Sequence, residues 1–302
     1  VADSNGKSLL NPAALARLSA QPLLARFPME GFISGQHKSP HRGSSVEFAE
    51  YRNYVPGDDI RRLDWRVFGR TDRFYLKEFE AETNLRCHIV LDCSRSMAFE
   101  DAGGRKFDFA TRLAATFAHL VIHQADAAGL FCVWQDRQLD LPARGNPAHM
   151  RLILDKLAEA EPEGEANLSK ALHHLADHIR QRAMVVVISD LFEDPESLVN
   201  AFKHLRHRKH DLAVFQLISR SELEFKFDRP IRFQDLESGA SVVTEPSIIR
   251  QQYLQSLQNH LDLLKAGCHE VNADYRLVTA EGDCEQAIAS FLVERARIAS
   301  MR

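Results

Sequence analysis

Cysteine is scarce and scattered: five residues, an odd number at wide intervals, which excludes a disulfide framework and suits a reducing compartment. Long apolar runs are missing too. The longest, Leu113 to Ile122, contains His119 and falls far short of the roughly 20 residues a bilayer span needs. The first residues lack the basic-then-apolar order of a secretory signal. Charge of one sign is also absent, since 38 Lys plus Arg stand against 42 Asp plus Glu for a net charge of -4 and a pI of about 6.4. General nucleic-acid binding is thereby disfavoured, because phosphate affinity scales with the counterions that Lys and Arg displace. No internal repeat and no low-complexity tract interrupts the chain. What remains is 302 residues, 45% hydrophobic and 26% charged, enough for one elaborated domain or two. The expectation is a soluble, cytoplasmic protein with no membrane insertion.

Four short runs read as buried strands: Leu85 to Asp92, Gly129 to Trp134, Met184 to Asp190 and Leu212 to Ser219. Each is nearly continuously apolar, as a parallel strand covered on both faces must be. A fifth, Ala273 to Thr279, is less pure. Between them lie helical patterns at Lys106 to Ala125, Asn167 to Arg182, Asp194 to His207, Ser247 to Ala266 (closed by Gly267) and Asp283 to Arg297. Strands alternating with helices predict an α/β fold, a doubly wound and mostly parallel sheet, over residues 84–302. Two regions break the alternation. Residues 1–83 form an N-terminal extension, β-rich or irregular and punctuated by glycines. Residues 224–245 read as an inserted β-hairpin turned at Glu237-Ser238-Gly239.

The strongest chemical signal is Asp92-Cys93-Ser94-Arg95-Ser96, directly after the first buried strand. Ligands of open α/β sheets bind beyond the carboxyl ends of the strands. A carboxylate and two hydroxyls on one loop offer hard oxygen ligands to a cation such as Mg²⁺. Asp190 ends the third buried strand, so the carboxylates of Asp92 and Asp190 converge if those strands are neighbours. The plainer reading is that Asp92 and Ser94 cap a turn.

Asp92-x-Ser94-x-Ser96-Met97 with Asp190 resembles the metal-ion-dependent adhesion site of von Willebrand factor A domains, a likeness that covers about residues 84–302. A longer motif, Arg52-Asn53-Tyr54-Val55-Pro56-Gly57-Asp58-Asp59-Ile60-Arg61-Arg62-Leu63-Asp64-Trp65, preceded by Gly35, Ser39, Gly43, Glu47 and Phe48, is similar to the signature of the domain of unknown function 58 family. The resemblance implies a von Willebrand factor A-type sheet and a MoxR-type AAA ATPase as partner. It also implies metal ligation by Asp92, Ser94, Ser96 and Asp190. One position departs from the pattern: Ala166 stands where these sites carry a Thr. Mg²⁺ is therefore expected to bind weakly or not at all.

Read physically, Pro56-Gly57 suits the centre of a type II turn, and Asp58 and Asp59 can cap a following helical turn. Arg52, Tyr54, Gly57, Asp58, Asp59, Arg61, Arg62, Asp64 and Trp65 thus form either an ion-pair lattice bracing the extension or a docking surface; the lattice is favoured. Other signals are weak. Gly6-Lys7-Ser8 lacks the first Gly and the preceding strand of a phosphate loop. His119 and His123, the trio at 173, 174 and 178, and the trio at 204, 207 and 210 lack ligands at zinc spacing. No Gly-x-Ser-x-Gly elbow is present. The expected function is a non-enzymatic interaction module that assists an ATPase in remodelling or maturing a target. The competing reading is a divalent-metal hydrolase or phosphotransferase using Asp92 and Asp190.

Overall fold

A computed structural model describes residues 9–19, 21–23, 37–38, 47–53, 65–71, 74–80, 82–83, 85–135, 137–225, 231–234, 241–244 and 246–300. The chain divides into two compact units, one formed by Val1–Arg26 and Arg86–Arg302, the other by Phe27–Leu85.

In the first unit, a six-stranded sheet is built from β1 (Arg86–Asp92), β2 (Ala127–Val133), β3 (Gln138–Arg144), β4 (Met184–Ser189), β5 (Asp211–Ile218) and β6 (Asp274–Thr279). Their order is β3-β2-β1-β4-β5-β6, and every pairing is parallel except that of β2 with β3. The expected doubly wound, mainly parallel sheet is thus present, with β1 at its centre. All residues of β4 and β5 are buried, which explains their unbroken apolar character.

Among the described residues, seven helices follow residue 100: α1 (Lys106–His123), α2 (Pro147–Glu159), α3 (Leu168–His178), α4 (Pro195–His207), α5 (Arg220–Glu224), α6 (Pro246–Glu270) and α7 (Cys284–Ser300). One face of the sheet carries α3, α4 and α6. Val90, Val187 and Val214 pack there against Leu172, Phe202 and Leu264. On the other face, Phe117 of α1, Phe215 of β5 and Phe291 of α7 form an edge-to-face triad with centroids 5.3–5.7 Å apart.

Several boundaries differ from the sequence reading. Helix α3 stops at His178, short of Arg182, and α6 runs through Gly267 to Glu270. Gly267 is no helix terminator. A Cβ there would lie 2.2 Å from Val199 Cγ2, so the missing side chain lets α6 approach α4. Strand β3 and helix α2 were not anticipated. The former is an edge strand alternating exposed and half-buried residues, with Pro142 tolerated there. The latter is amphipathic, burying Ile153, Leu154 and Leu157, and opens where the Asn146 side chain accepts a bond from His149 N at 2.8 Å.

At the amino end of the sheet lies a buried ion triad. Arg295 of α7 bonds Asp211, the first residue of β5, through Nη1 at 2.7 Å. It bonds Asp274, the first residue of β6, through Nη2 at 2.7 Å and Nε at 2.8 Å. None of the three is more than 8% exposed.

In the second unit, Glu47–Asn53 pairs antiparallel with Tyr75–Glu80, and a short helix spans Trp65–Thr71. The inserted hairpin, which belongs to the first unit, consists of Ile231–Gln234 paired antiparallel with Ser241–Thr244; its turn lies outside the described residues. Among the described residues, no helix is long and apolar enough to cross a membrane.

Candidate functional site at the carboxyl end of the sheet

Strand pairing brings the two aspartates together. Leu91 of β1 is level with Ile188 of β4, so the next residues, Asp92 and Ser189-Asp190, emerge side by side. Asp92 Oδ1 accepts the Ser94 amide at 2.8 Å, and Oδ2 accepts the Ser189 hydroxyl at 2.5 Å. Ser94 and Ser96 point at each other, with their hydroxyl oxygens 2.9 Å apart. Burial, together with the neighbouring Asp190 carboxylate, pushes the Asp92 carboxyl up to about 7 despite the bonds from Ser189 and Ser94.

The turn after β4 is strained and well supported. Leu191, a γ-branched residue, sits at φ 58°, in the left-handed region. Its amide donates to Ser189 Oγ at 2.9 Å, and its carbonyl lies 2.9 Å from His260 Nε2. Gln216 in β5 donates to the Asp190 carbonyl at 2.9 Å and accepts from the Tyr275 hydroxyl at 2.7 Å. Side chains from three further elements therefore hold the segment that carries Asp190.

Asp190 itself is paired with a lysine. Lys106 Nζ lies 2.8 Å from Asp190 Oδ2 and 3.1 Å from Glu222 Oε1, and the lysine is 1% exposed. Phe99 and Phe192 flank the ammonium, with ring centroids at 5.6 and 5.2 Å. Burial alone would lower the Lys106 pKa, but the carboxylates of Asp190 and Glu222 outweigh it and hold the ammonium charged. Glu222 is fixed in turn: its Oε2 accepts the Ser219 amide at 2.8 Å in the capping box that opens α5.

Lys106 escaped the sequence reading. Its one legible signal is electrostatic, for it is the first residue of α1, and the positive end of a helix disfavours a cation. A lysine at that position calls for a carboxylate partner. The partners lie 84 and 116 residues away, so the sequence could not name them.

The neighbouring loop supplies no further metal ligand. Arg95 N bonds Gly164 O at 2.8 Å and Glu163 N bonds Cys93 O at 2.9 Å, joining the two loops as a short ladder. Gly164 at φ +66° permits that turn. Ala166 is half-buried against the hydrophobic core and offers no oxygen. The start of α3 is served instead by Glu193, whose carboxylate accepts the amides of Leu168 and Ser169. On the rim, exposed Glu161 and Glu163 pair with Arg105 and Arg137. Every carboxylate oxygen of Asp92 and Asp190 accepts a protein donor, the weakest being Phe192 N to Asp190 Oδ1 at 3.5 Å. As arranged, this donor set does not fit an octahedral Mg²⁺, which needs several oxygens turned to one point.

Of the extension motif, Arg52 lies in the strand Glu47–Asn53, level with Leu76, and Trp65 opens the helix Trp65–Thr71. Tyr54, Gly57, Asp58, Asp59, Arg61, Arg62 and Asp64 lie outside the described residues, as does Gly6-Lys7-Ser8. Among the described residues, no group of three or more His, Cys, Asp or Glu is arranged to hold a metal. His173 and His204 meet through their Nδ1 atoms at 2.9 Å, and Cys93 is buried with its thiol pushed well up by burial.

The model of a family described as "Protein of unknown function DUF58" matches residues 50–262. The uncharacterized protein Rv1480 of Mycobacterium tuberculosis is 28% identical over 256 residues, covering 83% of this chain and 80% of that one. The uncharacterized protein YeaD of Bacillus subtilis is 29% identical over 167 residues, 55% of this chain and 39% of that one. Among solved structures, the conserved hypothetical protein BatB from Bacteroides thetaiotaomicron aligns with a TM-score of 0.48 at 15% identity, over 72% of this chain and 100% of that one. The SpRpn10 VWA domain aligns with a TM-score of 0.42 at 14% identity, over 72% and 97%.

Proposed function

Because this chain belongs to the DUF58 family and gathers a closed polar cluster at the carboxyl end of its sheet, we propose that it is a non-enzymatic protein-interaction module. Its proposed partner is a MoxR-type AAA ATPase, for which it helps remodel or mature a target protein in the cytoplasm. The adhesion-type site formed by Asp92, Ser94, Ser96 and Asp190 is degenerate in this reading and serves as a rigid platform. The carrying observation is that the cluster is satisfied from within. Asp190 is bound by Lys106, Asp92 by Ser94 and Ser189, and the two serine hydroxyls by each other. A hydrolase would need one of these groups released as a nucleophile or general base, beside an open ligand position.

Exposed groups beside the cluster supply the contact surface. Phe192 is 43% exposed, and Arg95 projects from the Asp-x-Ser-x-Ser loop. The test is co-purification with a co-expressed MoxR-type ATPase. Wild type should retain the ATPase, while Phe192→Ala combined with Arg95→Glu should lose most of it. Loss only with Arg62→Ala would move the interface to the extension. Retention by none of these proteins, coupled with phosphoester turnover abolished by Asp190→Asn, would favour the metal-dependent hydrolase.

A further inference from the structure

A divalent ion at an Asp-x-Ser-x-Ser loop does two things: it neutralises carboxylates crowded at the strand ends, and it offers an open position to an anionic ligand. In this chain the first task is done by a side chain. Lys106 reaches from the start of α1 into the carboxyl end of the sheet and places its ammonium 2.8 Å from Asp190 Oδ2. We infer that Lys106 is the resident cation of this site, so that the cluster is assembled and neutralised without any divalent metal.

Four independent features converge on that assignment. The ammonium is built in, being 1% exposed and bound by two carboxylates from different elements, Asp190 after β4 and Glu222 in α5. Aromatic rings close two more of its sides, Phe99 at 5.6 Å and Phe192 at 5.2 Å, where the negative ring faces favour a cation. Both carboxylate oxygens of Asp92 are already taken, one by the Ser94 amide at 2.8 Å and the other by the Ser189 hydroxyl at 2.5 Å. The position where such sites carry a Thr is held by Ala166, which packs on the core.

Charge explains why the two arrangements exclude each other. An ammonium within hydrogen-bond reach of Asp190 repels a second cation at the same oxygens, and the low-dielectric surroundings screen that repulsion poorly. Lysine, a compact point charge on a flexible stem, is suited to sit where an ion would. The consequence concerns ligand chemistry. A molecule docking on this face meets a closed ammonium–carboxylate cluster under the exposed edge of Phe192, with no vacant coordination position for its own carboxylate. This holds whichever partner is bound, so its test is separate from that of the ATPase reading.

The experiment uses the full chain, stripped with EDTA and followed by calorimetric titration with MnCl₂ and MgCl₂ and by thermal unfolding. Wild type should give no saturable heat at millimolar metal, and its midpoint should be indifferent to EDTA, Mn²⁺ or Mg²⁺. Lys106→Met should lower the midpoint by roughly 10 °C, because buried Asp190 and half-buried Glu222 lose their counter-charge. Adding Asp190→Asn to Lys106→Met should recover a substantial part of that loss. Lys106→Ala, which vacates the space, should become responsive to Mn²⁺ where wild type is not. Micromolar Mn²⁺ binding by wild type that is lost in Asp92→Asn would overturn the inference. So would a Lys106→Met protein with the midpoint of wild type. Should Lys106→Met fail to fold, the wild-type titration and the Lys106→Met/Asp190→Asn protein still decide the matter.

Discussion

Replacing Arg295 by Met is the sharpest test of what secures the far end of the sheet. Methionine keeps the length and flexibility of the stem but removes the guanidinium, which is buried with Asp211 at 0% exposure and Asp274 at 8%. Burial opposes the charge on Arg295, but the carboxylates of Asp211 and Asp274 outweigh it and raise the guanidinium pKa. Breaking a buried pair from one side costs about 3–5 kcal/mol, because the remaining charge stays desolvated and unpaired. Here one cation serves two carboxylates, so the upper part of that range is expected. For a domain of this size each kcal/mol lowers the midpoint by about 2–4 °C, giving a fall of roughly 8–20 °C. Urea unfolding with a global fit gives the free energy, and scanning fluorimetry gives the midpoint. Adding Asp211→Asn and Asp274→Asn to Arg295→Met should restore at least half of the loss, since neutral amides need less compensation. Arg295→Lys should fall between, because an ammonium cannot reproduce the fork that grips both acids. A loss below about 1 kcal/mol for Arg295→Met would refute the view that the triad contributes as a charge assembly.

Gly267→Ala should destabilise by about 1–3 kcal/mol through the clash with Val199, and Val199→Ala should relieve most of it; a double variant no better than the single one in urea melts would mean that α6 and α4 do not meet as described. His88 and His210 are held neutral, their pKa lowered from 6.5 to about 4, chiefly by burial. The unfolded chain therefore takes up protons below pH 6.5 that the folded chain refuses. Stability should be intact above pH 6.5 and decline as pH falls towards 4, by up to about 3 kcal/mol per histidine. Urea unfolding between pH 7.5 and 4.5 should show a shallower decline for His210→Gln than for wild type, and equal slopes would contradict the assignment. Glu193→Ala should cost about 1 kcal/mol by removing the acceptor of the Leu168 and Ser169 amides while the Asn167 cap on Lys170 stays, with faster amide exchange at Leu168 and Ser169; unchanged exchange would rule out the Glu193 contact.

The sheet was legible because its strands are buried on both faces. Val185-Val186-Val187-Ile188 and the run from Leu212 to Ile218 announce themselves by composition alone. Strand β3 was not legible, because an edge strand mixes Asp140, Pro142 and Arg144 into its alternation and resembles a loop. The end of α6 was misread for a related reason: glycine signals both a helix terminus and a close helix contact, and only packing distinguishes them. At the site, Asp92 and Asp190 could be paired in advance because each ends a readable strand. Lys106, Glu222 and Glu193 could not, since their partners are fixed by the winding of the chain and not by local spacing.

Strand order carries a consequence for how the chain is made. Strand β1, the first of the sheet to leave the ribosome, occupies its centre and must be flanked on both sides. Its pairing with β2 joins Cys87 to Ala128, but its pairing with β4 joins Cys87 to Met184, over twice as far along the chain. At synthesis rates of about 5–20 residues per second, the β4 side of β1 waits several seconds after β2 is available. Through that interval the nascent chain carries an apolar strand with one unpaired edge, the geometry that invites pairing with a neighbouring chain. The strand that anchors the finished site is thus also the one that most needs shelter while the protein is being born.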